Sequence, residues 1–231
     1  MTTHGRPREI LIATGNPGKF REIAQVLGLS DPDTGASPSA AADGLGGLVC
    51  WRSLKDLPAS VPPPVEDGGT FADNAALKAR YYARACGLWT LADDSGLEVD
   101  ALNGAPGVVS ARYADSPEGT PRAESDRANN RRLISELRAV PATRRTARFR
   151  CALALADSEN ILATAEGAVE GVIIDESRGN NGFGYDPHFF MPLFGKTMAE
   201  LPADEKNRIS HRGQALQQMR ERLAALLASK P

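Results

Sequence analysis

Cysteine, histidine and aromatic residues are all scarce in this chain of 231 residues. The three cysteines, Cys50, Cys86 and Cys151, are an odd number and lack metal-ligand spacing, which argues against both a disulfide framework and a zinc site. Aromatic residues make up only 6% of the chain. Together with the charge balance described next, this low content makes a nucleic-acid-binding module the least favoured class of protein.

The sequence also lacks a large excess of charge and a long apolar run. Its 27 basic and 29 acidic side chains give a formal net charge of −2, so no global attraction to nucleic acid or to an anionic membrane is expected. No apolar run approaches the ~20 residues that a membrane span needs, and the first residues carry no apolar signal-peptide core. The sequence therefore predicts a soluble, cytoplasmic protein with a buried core, spanning residues 1–231 as a single domain.

Short apolar runs alternate with amphipathic segments along the chain. Strands are predicted at 9–13, around 48–51, and at 88–92, 147–155 and 161–174, and helices at 17–27, 71–85, 124–140 and 214–228. Because strands and helices intermingle throughout, the predicted class is α/β with a mixed sheet. Gly, Pro, Ala and Ser are frequent in residues 30–47 and 58–69, which are predicted to be loops.

The first candidate site follows the first predicted strand, in the segment Thr14-Gly15-Asn16-Pro17-Gly18-Lys19. This segment is not a nucleotide-binding P-loop, because Ala13 replaces the first glycine and Phe20 stands where Ser or Thr would hold a metal. Asn16 is a good helix N-cap, and Pro17 suits the first helical position. A helix N-terminus beside Lys19 suits a phosphate, but an ordinary capped helix with a solvated lysine explains the segment equally well.

The second candidate site is the pair Asp93-Asp94, which is predicted to lie where a strand ends and is followed by Ser95 and Gly96. Carboxylate oxygens are suitable ligands for Mg²⁺, which takes one or two carboxylates together with substrate phosphates. Adjacent strand residues point to opposite faces, so one of the two acids is expected to meet the metal directly. Glu66, in a predicted loop, could supply a second carboxylate. Taken alone, the segment also suits an ordinary turn.

Two further segments carry aromatic or basic side chains. In Gly182-Phe183-Gly184-Tyr185-Asp186-Pro187, two glycines let the backbone approach a ligand while Phe183 offers a stacking face, although such a ring can also be a lid over the core. Residues 206–213 include Lys206, His211 and Arg212 and form a basic cluster that is predicted to precede the last helix. A solvated charged turn is the alternative interpretation of this cluster.

Six segments in order match one family over residues 10–216. They are Thr14–Lys19, Thr70–Ala75, Ala92–Leu97, Pro106–Tyr113, Gly182–Pro187 and Ser210–Gly213. On these segments the chain resembles the inosine/xanthosine triphosphate pyrophosphatase family, which hydrolyses aberrant purine nucleoside triphosphates. The resemblance implies a long mixed α/β sheet flanked by helices, two lobes with the active cleft between them, and a homodimer. The stretch 30–64 is longer than the family pattern, and we expect it to be a flexible insertion.

The resemblance also implies roles for individual residues. The triphosphate would be bound by Thr14, Gly15, Asn16, Pro17, Gly18 and Lys19. Asp94 would bind Mg²⁺ and act as the assigned proton acceptor, with Glu66 as the second carboxylate at the metal. The substrate would also be contacted by Ser95, Phe183, Gly184, Tyr185, Asp186, Lys206, His211 and Arg212. Because a carboxylate bound to a metal is a weak base, a metal role for Asp94 is favoured over literal proton abstraction. Water would attack the α-phosphorus and release pyrophosphate. The alternatives are a broader modified-nucleotide pyrophosphatase and a non-catalytic purine-nucleotide sensor.

Overall fold

The computed structural model of the chain describes residues 7–28, 45, 47–57 and 61–229. The strands are β1 (Arg8–Ile12), β2 (Val49–Ser53), β3 (Trp89–Val99), β4 (Thr146–Ala156), β5 (Ile161–Ile173), β6 (Phe189–Met191) and β7 (Lys196–Thr197). The helices are α1 (Pro17–Leu27), α2 (Phe71–Cys86), α3 (Arg122–Glu136), α4 (Ala203–Ile209) and α5 (His211–Ala228). In the part of the chain so described, no helix is long and apolar enough to cross a membrane.

The seven strands form one sheet in the order β2-β1-β3-β4-β5-β6-β7. Strand β1 pairs in parallel with both β2 and β3, whereas β6 pairs antiparallel with β5 and with β7. This arrangement confirms the mixed α/β sheet that the sequence predicts. The last strands are short and joined by a tight turn, which explains why antiparallel pairing is possible there.

The chain divides into two compact units. Unit 1 comprises Met1–Asp94, Ala152–Glu166 and Gly213–Pro231, and unit 2 comprises Ser95–Cys151 and Gly167–Arg212. Buried aliphatic side chains of β1 and α1, including Ile10, Leu11 and Ile23, contribute to the core of unit 1. In unit 2 the core contains Leu97, Leu133, Phe149, Ile173 and Phe189. The active cleft and the assignment of residues 1–231 to one domain stay predictions.

Most of the predicted elements are confirmed, but three boundaries were wrong. The strand predicted at 88–92 continues to Val99, so Asp93 and Asp94 lie inside β3 rather than where it ends or in a turn. The helix predicted at 124–140 ends at Glu136. The last helix begins at His211, so the basic cluster at 206–213 is not a turn: Lys206 lies in α4, and His211 and Arg212 form the start of α5.

The segments predicted to be loops are described only in part. Residues 61–68 are irregular, in agreement with the prediction. Strand β2 confirms the short strand predicted around 48–51. Most of the stretch 30–64 that was predicted to be a flexible insertion, namely 30–44, 46 and 58–60, lies outside the described residues.

Candidate active site

The N-terminus of helix α1 is capped by Asn16. The side-chain oxygen of Asn16 accepts hydrogen bonds from the backbone N–H groups of Gly18 and Lys19, at 2.9 and 3.3 Å. Thr14 Oγ1 in turn accepts a hydrogen bond from the N–H of Asn16 at 3.2 Å. The predicted cap is therefore confirmed. Two of the N–H groups expected to face a phosphate are already bonded to this cap, which leaves the helix dipole and the Lys19 ammonium as the positive features.

The two acids of strand β3 have different lysine partners. Asp93 Oδ2 lies 2.9 Å from Lys19 Nζ, while Asp94 Oδ1 lies 3.1 Å from Lys78 Nζ. This separation follows from the alternation of side chains along a strand, which sends neighbouring residues to opposite faces of the sheet. Both carboxylates are buried. Because a buried charge is costly unless it is paired, the two lysines explain how a strand interior can hold two consecutive acids.

Helix α2 supplies the groups that hold Asp94. Thr70 caps the helix by accepting a hydrogen bond from the N–H of Asp73. Asn74 and Lys78 are four residues apart and therefore lie on one face of the helix. Asn74 Nδ2 donates to Asp94 Oδ2 at 3.2 Å, and Lys78 donates to Asp94 Oδ1 at 3.1 Å. Each oxygen of the Asp94 carboxylate thus has its own donor from α2.

Glu66 reaches the same lysine from the loop that precedes α2. Its Oε2 lies 3.3 Å from Lys78 Nζ. The loop is held in turn by Asn74, whose Oδ1 accepts a hydrogen bond from the N–H of Gly68 at 2.8 Å. The structure therefore brings Glu66 and Asp94 together on one ammonium group. The sequence interpretation assigned no role to Lys78 or Asn74. Asn74 lies in the matched segment Thr70–Ala75, whereas nothing in the local sequence marks Lys78 as buried.

Burial and charge act in opposite directions on this cluster. Burial raises the pKa of Asp94 above its usual range, against the opposing effect of Lys78 and Lys19. Burial alone would lower the pKa of Lys78, but the carboxylates of Asp93, Asp94 and Glu66 outweigh it, and the pKa of Lys78 is raised. Lys78 therefore stays charged at neutral pH.

The donor set of unit 1 fits a hard divalent cation. Three carboxylates, those of Glu66, Asp93 and Asp94, face two ammonium groups, those of Lys19 and Lys78, so the cluster keeps one formal negative charge. Two of the carboxylates already converge on one positive group, which is the arrangement that Mg²⁺ accepts together with phosphate oxygens. Among the described residues, no three or more acids, histidines or cysteines form a group that could hold a metal ion.

In unit 2, the loop around Phe183 is organised by the carboxylate of Asp186. Asp186 Oδ2 accepts a hydrogen bond from the N–H of Phe183 at 2.9 Å and lies 2.6 Å from Lys206 Nζ. A Cβ at Gly182 would lie 2.0 Å from that same oxygen, and Gly182 has a φ of +75°. The glycine is therefore required for the loop to close around Asp186.

Two cations lie near the Phe183 ring. Lys206 Nζ is 4.9 Å and the Arg212 guanidinium carbon 5.7 Å from the ring centroid, within the range of cation–π attraction. His211 stacks on Phe149, with ring centroids 4.9 Å apart and planes inclined by 13°. The predicted residues Phe183, Lys206 and Arg212 are thus brought together. They offer an aromatic face bordered by hydrogen-bond donors.

Ser95 belongs to the same group as Arg212, because Arg212 Nη2 donates to Ser95 Oγ at 2.6 Å. Tyr185 does not present its side chain in this group. It is buried in the core of unit 2, and its hydroxyl donates to the backbone carbonyl of Ser110 at 2.9 Å. Burial, the largest cause, raises the pKa of Tyr185 well above its usual range. The part of Tyr185 in the candidate site is therefore structural support.

Comparison with known proteins agrees with the ordered motifs. A family model described as the Ham1 family matches residues 10–222. The chain belongs to the Ham1 family. This Ham1-family chain is 47% identical over 214 residues to a protein of Geobacter sulfurreducens named dITP/XTP pyrophosphatase, which covers 93% of this chain and 96% of the relative. It is 43% identical over 219 residues to a protein of the same name from Listeria innocua, covering 95% and 96% of the two chains.

Solved structures of Ham1-family proteins share the fold. A HAM1 protein from Coxiella burnetii is similar with a TM-score of 0.74 and 37% identity, covering 96% of this chain and all of the other. A structure from Mycobacterium abscessus, titled nucleoside-triphosphatase / dITP/XTP pyrophosphatase, has a TM-score of 0.68 and 39% identity, covering 91% and 97% of the two chains. The described part of the chain therefore has a Ham1-type α/β fold.

Proposed function

We propose that this chain hydrolyses non-standard purine nucleoside triphosphates, namely inosine, deoxyinosine, xanthosine and deoxyxanthosine triphosphates, to the monophosphate and pyrophosphate. Such a reaction would remove aberrant nucleotides from the cellular pool. The observation that carries the proposal is the cluster on β3 and α2, where Glu66 and Asp94 share Lys78 and Asp93 pairs with Lys19. The names of the similar proteins, dITP/XTP pyrophosphatase, support this substrate class.

Lys19 and the N-terminus of α1 are the groups that we assign to the phosphates. The dipole of the helix contributes about 0.3–1 kcal/mol near its first turn, and the Lys19 ammonium lies 2.9 Å from Asp93. Phosphoryl transfer depends mainly on positioning and on neutralising negative charge, and it requires little covalent help from the protein. A fixed lysine and a capped helix N-terminus are suited to that work.

Glu66 and Asp94 are the residues that we assign to a magnesium ion. The cluster alone keeps one formal negative charge, which would repel a triphosphate. A bound Mg²⁺ would reverse the sign of the local charge, polarise the phosphate and help to orient the attacking water. Asn74 and Lys78 hold the Asp94 carboxylate in place through one hydrogen bond to each oxygen.

The group of unit 2 is the one that we assign to the nucleobase. Phe183 offers a stacking face with the donors of Lys206 and Arg212 beside it, and His211, which stacks on Phe149, is a further donor that we assign to this group. A donor satisfies the 6-oxo group of hypoxanthine or xanthine, whereas the 6-amino group of adenine would bring a second donor against it. Sites built on such a hydrogen bond discriminate by about 10⁴-fold or more, because the mismatch buries unpaired groups.

A substrate panel tests the proposal. The purified protein is assayed with Mg²⁺ on inosine triphosphate (ITP), deoxyinosine triphosphate, xanthosine triphosphate, GTP and ATP, with pyrophosphate as the measured product. We expect kcat/KM for the three non-standard purines to exceed that for ATP by at least about 10³-fold. Comparable efficiency on ATP would contradict the proposed selectivity, whereas turnover of other modified bases added to the panel would favour the broader modified-nucleotide pyrophosphatase. Intact triphosphate throughout would favour the non-catalytic sensor and contradict the proposal.

The homodimer and the cytoplasmic location stay predictions from the sequence and the resemblance. Light scattering on the purified chain measures the first directly. A mass near twice that of one chain, 24.6 kDa, is the expected result.

A further inference from the structure

One residue of the Phe183 loop, Gly184, is bonded to helix α3 through both its backbone N–H and its backbone carbonyl. The N–H of Gly184 donates to Asp126 Oδ2 at 3.0 Å, and its carbonyl accepts a hydrogen bond from Asn130 Nδ2 at 2.8 Å. Asp126 and Asn130 are four residues apart and so lie on one face of α3. We call this pair of contacts the α3 clamp.

The clamp holds a stretch of backbone that would otherwise be free to move. Gly182 and Gly184 flank Phe183, and both have positive φ values, +75° and +62°. Glycine reaches this region at little cost, but it also has the widest choice of other conformations. The N–H of Phe183 is fixed by Asp186, and the next residue is fixed by Asp126 and Asn130. The backbone on both sides of the Phe183 ring is thus tied down.

A third contact extends the support from α3. Asn129, next to Asn130, donates through Nδ2 to the carbonyl of Ser110 at 3.3 Å, and the Tyr185 hydroxyl donates to the same carbonyl at 2.9 Å. Ser110 Oγ accepts a hydrogen bond from the N–H of Leu97 in strand β3. One polar face of α3 is therefore hydrogen-bonded both to the Phe183 loop and to the segment of residues 107–112.

We propose that Asp126 and Asn130 are positioning residues that set the binding of the nucleobase by fixing the Phe183 ring. The inference rests on the proposed function, in which Phe183 stacks on the purine. Neither residue is placed in contact with substrate. Their effect is transmitted through the backbone of Gly184. None of the six matched sequence segments lies in α3, so the sequence assigned no functional role to either residue.

The size of the effect follows from what the ring contributes. Stacking of a base on an aromatic side chain changes affinity by about tenfold or somewhat more. Releasing the clamp would leave Phe183 present but less well placed, so we expect KM for ITP to rise by about tenfold. The groups assigned to the phosphates and the metal are untouched, so we expect kcat to stay within about twofold of the parent value.

The test uses Asp126→Ala and Asn130→Ala, each of which removes one side of the clamp. Asp126→Asn keeps an oxygen that can accept from Gly184 and serves as the conservative variant. Glu124→Ala removes an exposed acid from the first turn of the same helix and is the matched control. For each protein the measurements are KM and kcat for ITP, the inhibition constant of inorganic tripolyphosphate, and the Tm.

The account predicts a higher KM for ITP in both alanine variants, with an unchanged inhibition constant for tripolyphosphate, which has no base. Asp126→Asn is expected to recover most of the loss, and Glu124→Ala to match the parent. The double variant should cost little more than either single one, because both side chains hold the same residue, Gly184.

Two results would overturn the inference. One is an unchanged KM for ITP in both alanine variants that fold with the parent Tm. The other is an equal loss for ITP and tripolyphosphate, which would indicate general damage to the fold. If Asp126→Ala does not fold, the KM of Asn130→Ala for ITP is the deciding measurement. Failure of the parent protein to hydrolyse ITP would count against the proposed function instead, and it is measured first.

Discussion

At the scale of single residues, Lys78 lies between the carboxylates of Glu66 and Asp94, at 3.3 and 3.1 Å. Its ammonium group is therefore stabilised by both carboxylates. Removing it would leave the buried carboxylate of Asp94 without its ammonium partner, and losing one partner of a buried ion pair costs roughly 3–5 kcal/mol. The same change would remove the positive charge that competes with Mg²⁺ for these oxygens.

The first prediction concerns Lys78→Met. Without Mg²⁺ we expect this variant to have a lower Tm than the parent protein, because Glu66 and Asp94 lose their shared ammonium. Added Mg²⁺ should raise the Tm of the variant by more than it raises that of the parent, since the metal then replaces the missing charge. Thermal unfolding with and without Mg²⁺ measures both shifts. Equal shifts in the two proteins would remove Glu66 and Asp94 from the metal site.

The second prediction concerns Asp94→Asn, which keeps the shape of the side chain and removes its charge. We expect Mg²⁺-dependent turnover of ITP to fall by at least about 10³-fold, a loss of roughly 4 kcal/mol of transition-state stabilisation. The fold should persist, because burial opposes the charged form of Asp94 and the amide still accepts from Asn74 or Lys78. Circular dichroism and steady-state kinetics check the two parts. Turnover near the parent rate would exclude Asp94 from the mechanism.

The sequence could predict Asp94 but not the partner that holds it. Two adjacent acids after an apolar run are visible in any inspection of the chain, and they have few structural explanations. A lysine on an amphipathic helix, in contrast, is nearly always solvated, so Lys78 carries no local sign of its burial. Lys78 acquires its role because α2 packs beside β3. A contact between residues 16 positions apart cannot be predicted from the sequence of either segment alone.

At the scale of secondary-structure elements, β3 shows why residue composition did not predict where the strand ends. Asp-Asp-Ser-Gly is typical of a turn, yet Val99 and not Ala92 ends the strand. The lysine partners of Asp93 and Asp94 remove the cost of burying charge in a strand. The predicted start of the last helix was also wrong. The segment Ser210-His211-Arg212-Gly213 was interpreted as a basic turn before the helix, whereas α5 begins at His211.

The third prediction compares two glycines of the Phe183 loop. In Gly182→Ala the new Cβ would lie 2.0 Å from Asp186 Oδ2, whereas in Gly184→Ala nothing lies within 4 Å and only the positive φ opposes the change. We therefore expect Gly184→Ala to lower stability by about 1–2 kcal/mol, and Gly182→Ala to cost more and to raise KM for ITP as well.

Denaturant unfolding and steady-state kinetics on both glycine variants give the comparison. Each variant serves as the control for the other, because they share the residue type and the sign of φ. Equal effects on stability and on KM would show that the contact with Asp186 does not shape the loop.

At the scale of the whole molecule, the α/β class was predictable because apolar runs of strand length alternate with helical periodicity. The strand order was not, since it depends on which segments meet in space and not on their individual patterns. The intermingling of strands and helices predicted a mixed sheet, and the resemblance to a known family added the two lobes. The structure confirms the sheet, in the order β2-β1-β3-β4-β5-β6-β7.

The candidate residues divide between the two compact units at one peptide bond. Asp94 ends the first segment of unit 1, and Ser95 begins unit 2. The residues assigned to phosphate and metal belong to unit 1, and those assigned to the base belong to unit 2. In the proposed function, substrate selection and chemistry therefore rest on different parts of the chain, which is why the variants above are expected to separate KM from kcat.

The position of attack on the substrate is decided most directly by the fate of labelled water during hydrolysis of ITP with Mg²⁺. The purified protein is incubated with ITP in H₂¹⁸O, and the products are separated and weighed by mass spectrometry. Attack at the α-phosphorus predicts unlabelled pyrophosphate and inosine monophosphate carrying one ¹⁸O. Label in the pyrophosphate, or release of orthophosphate and inosine diphosphate, would contradict the account.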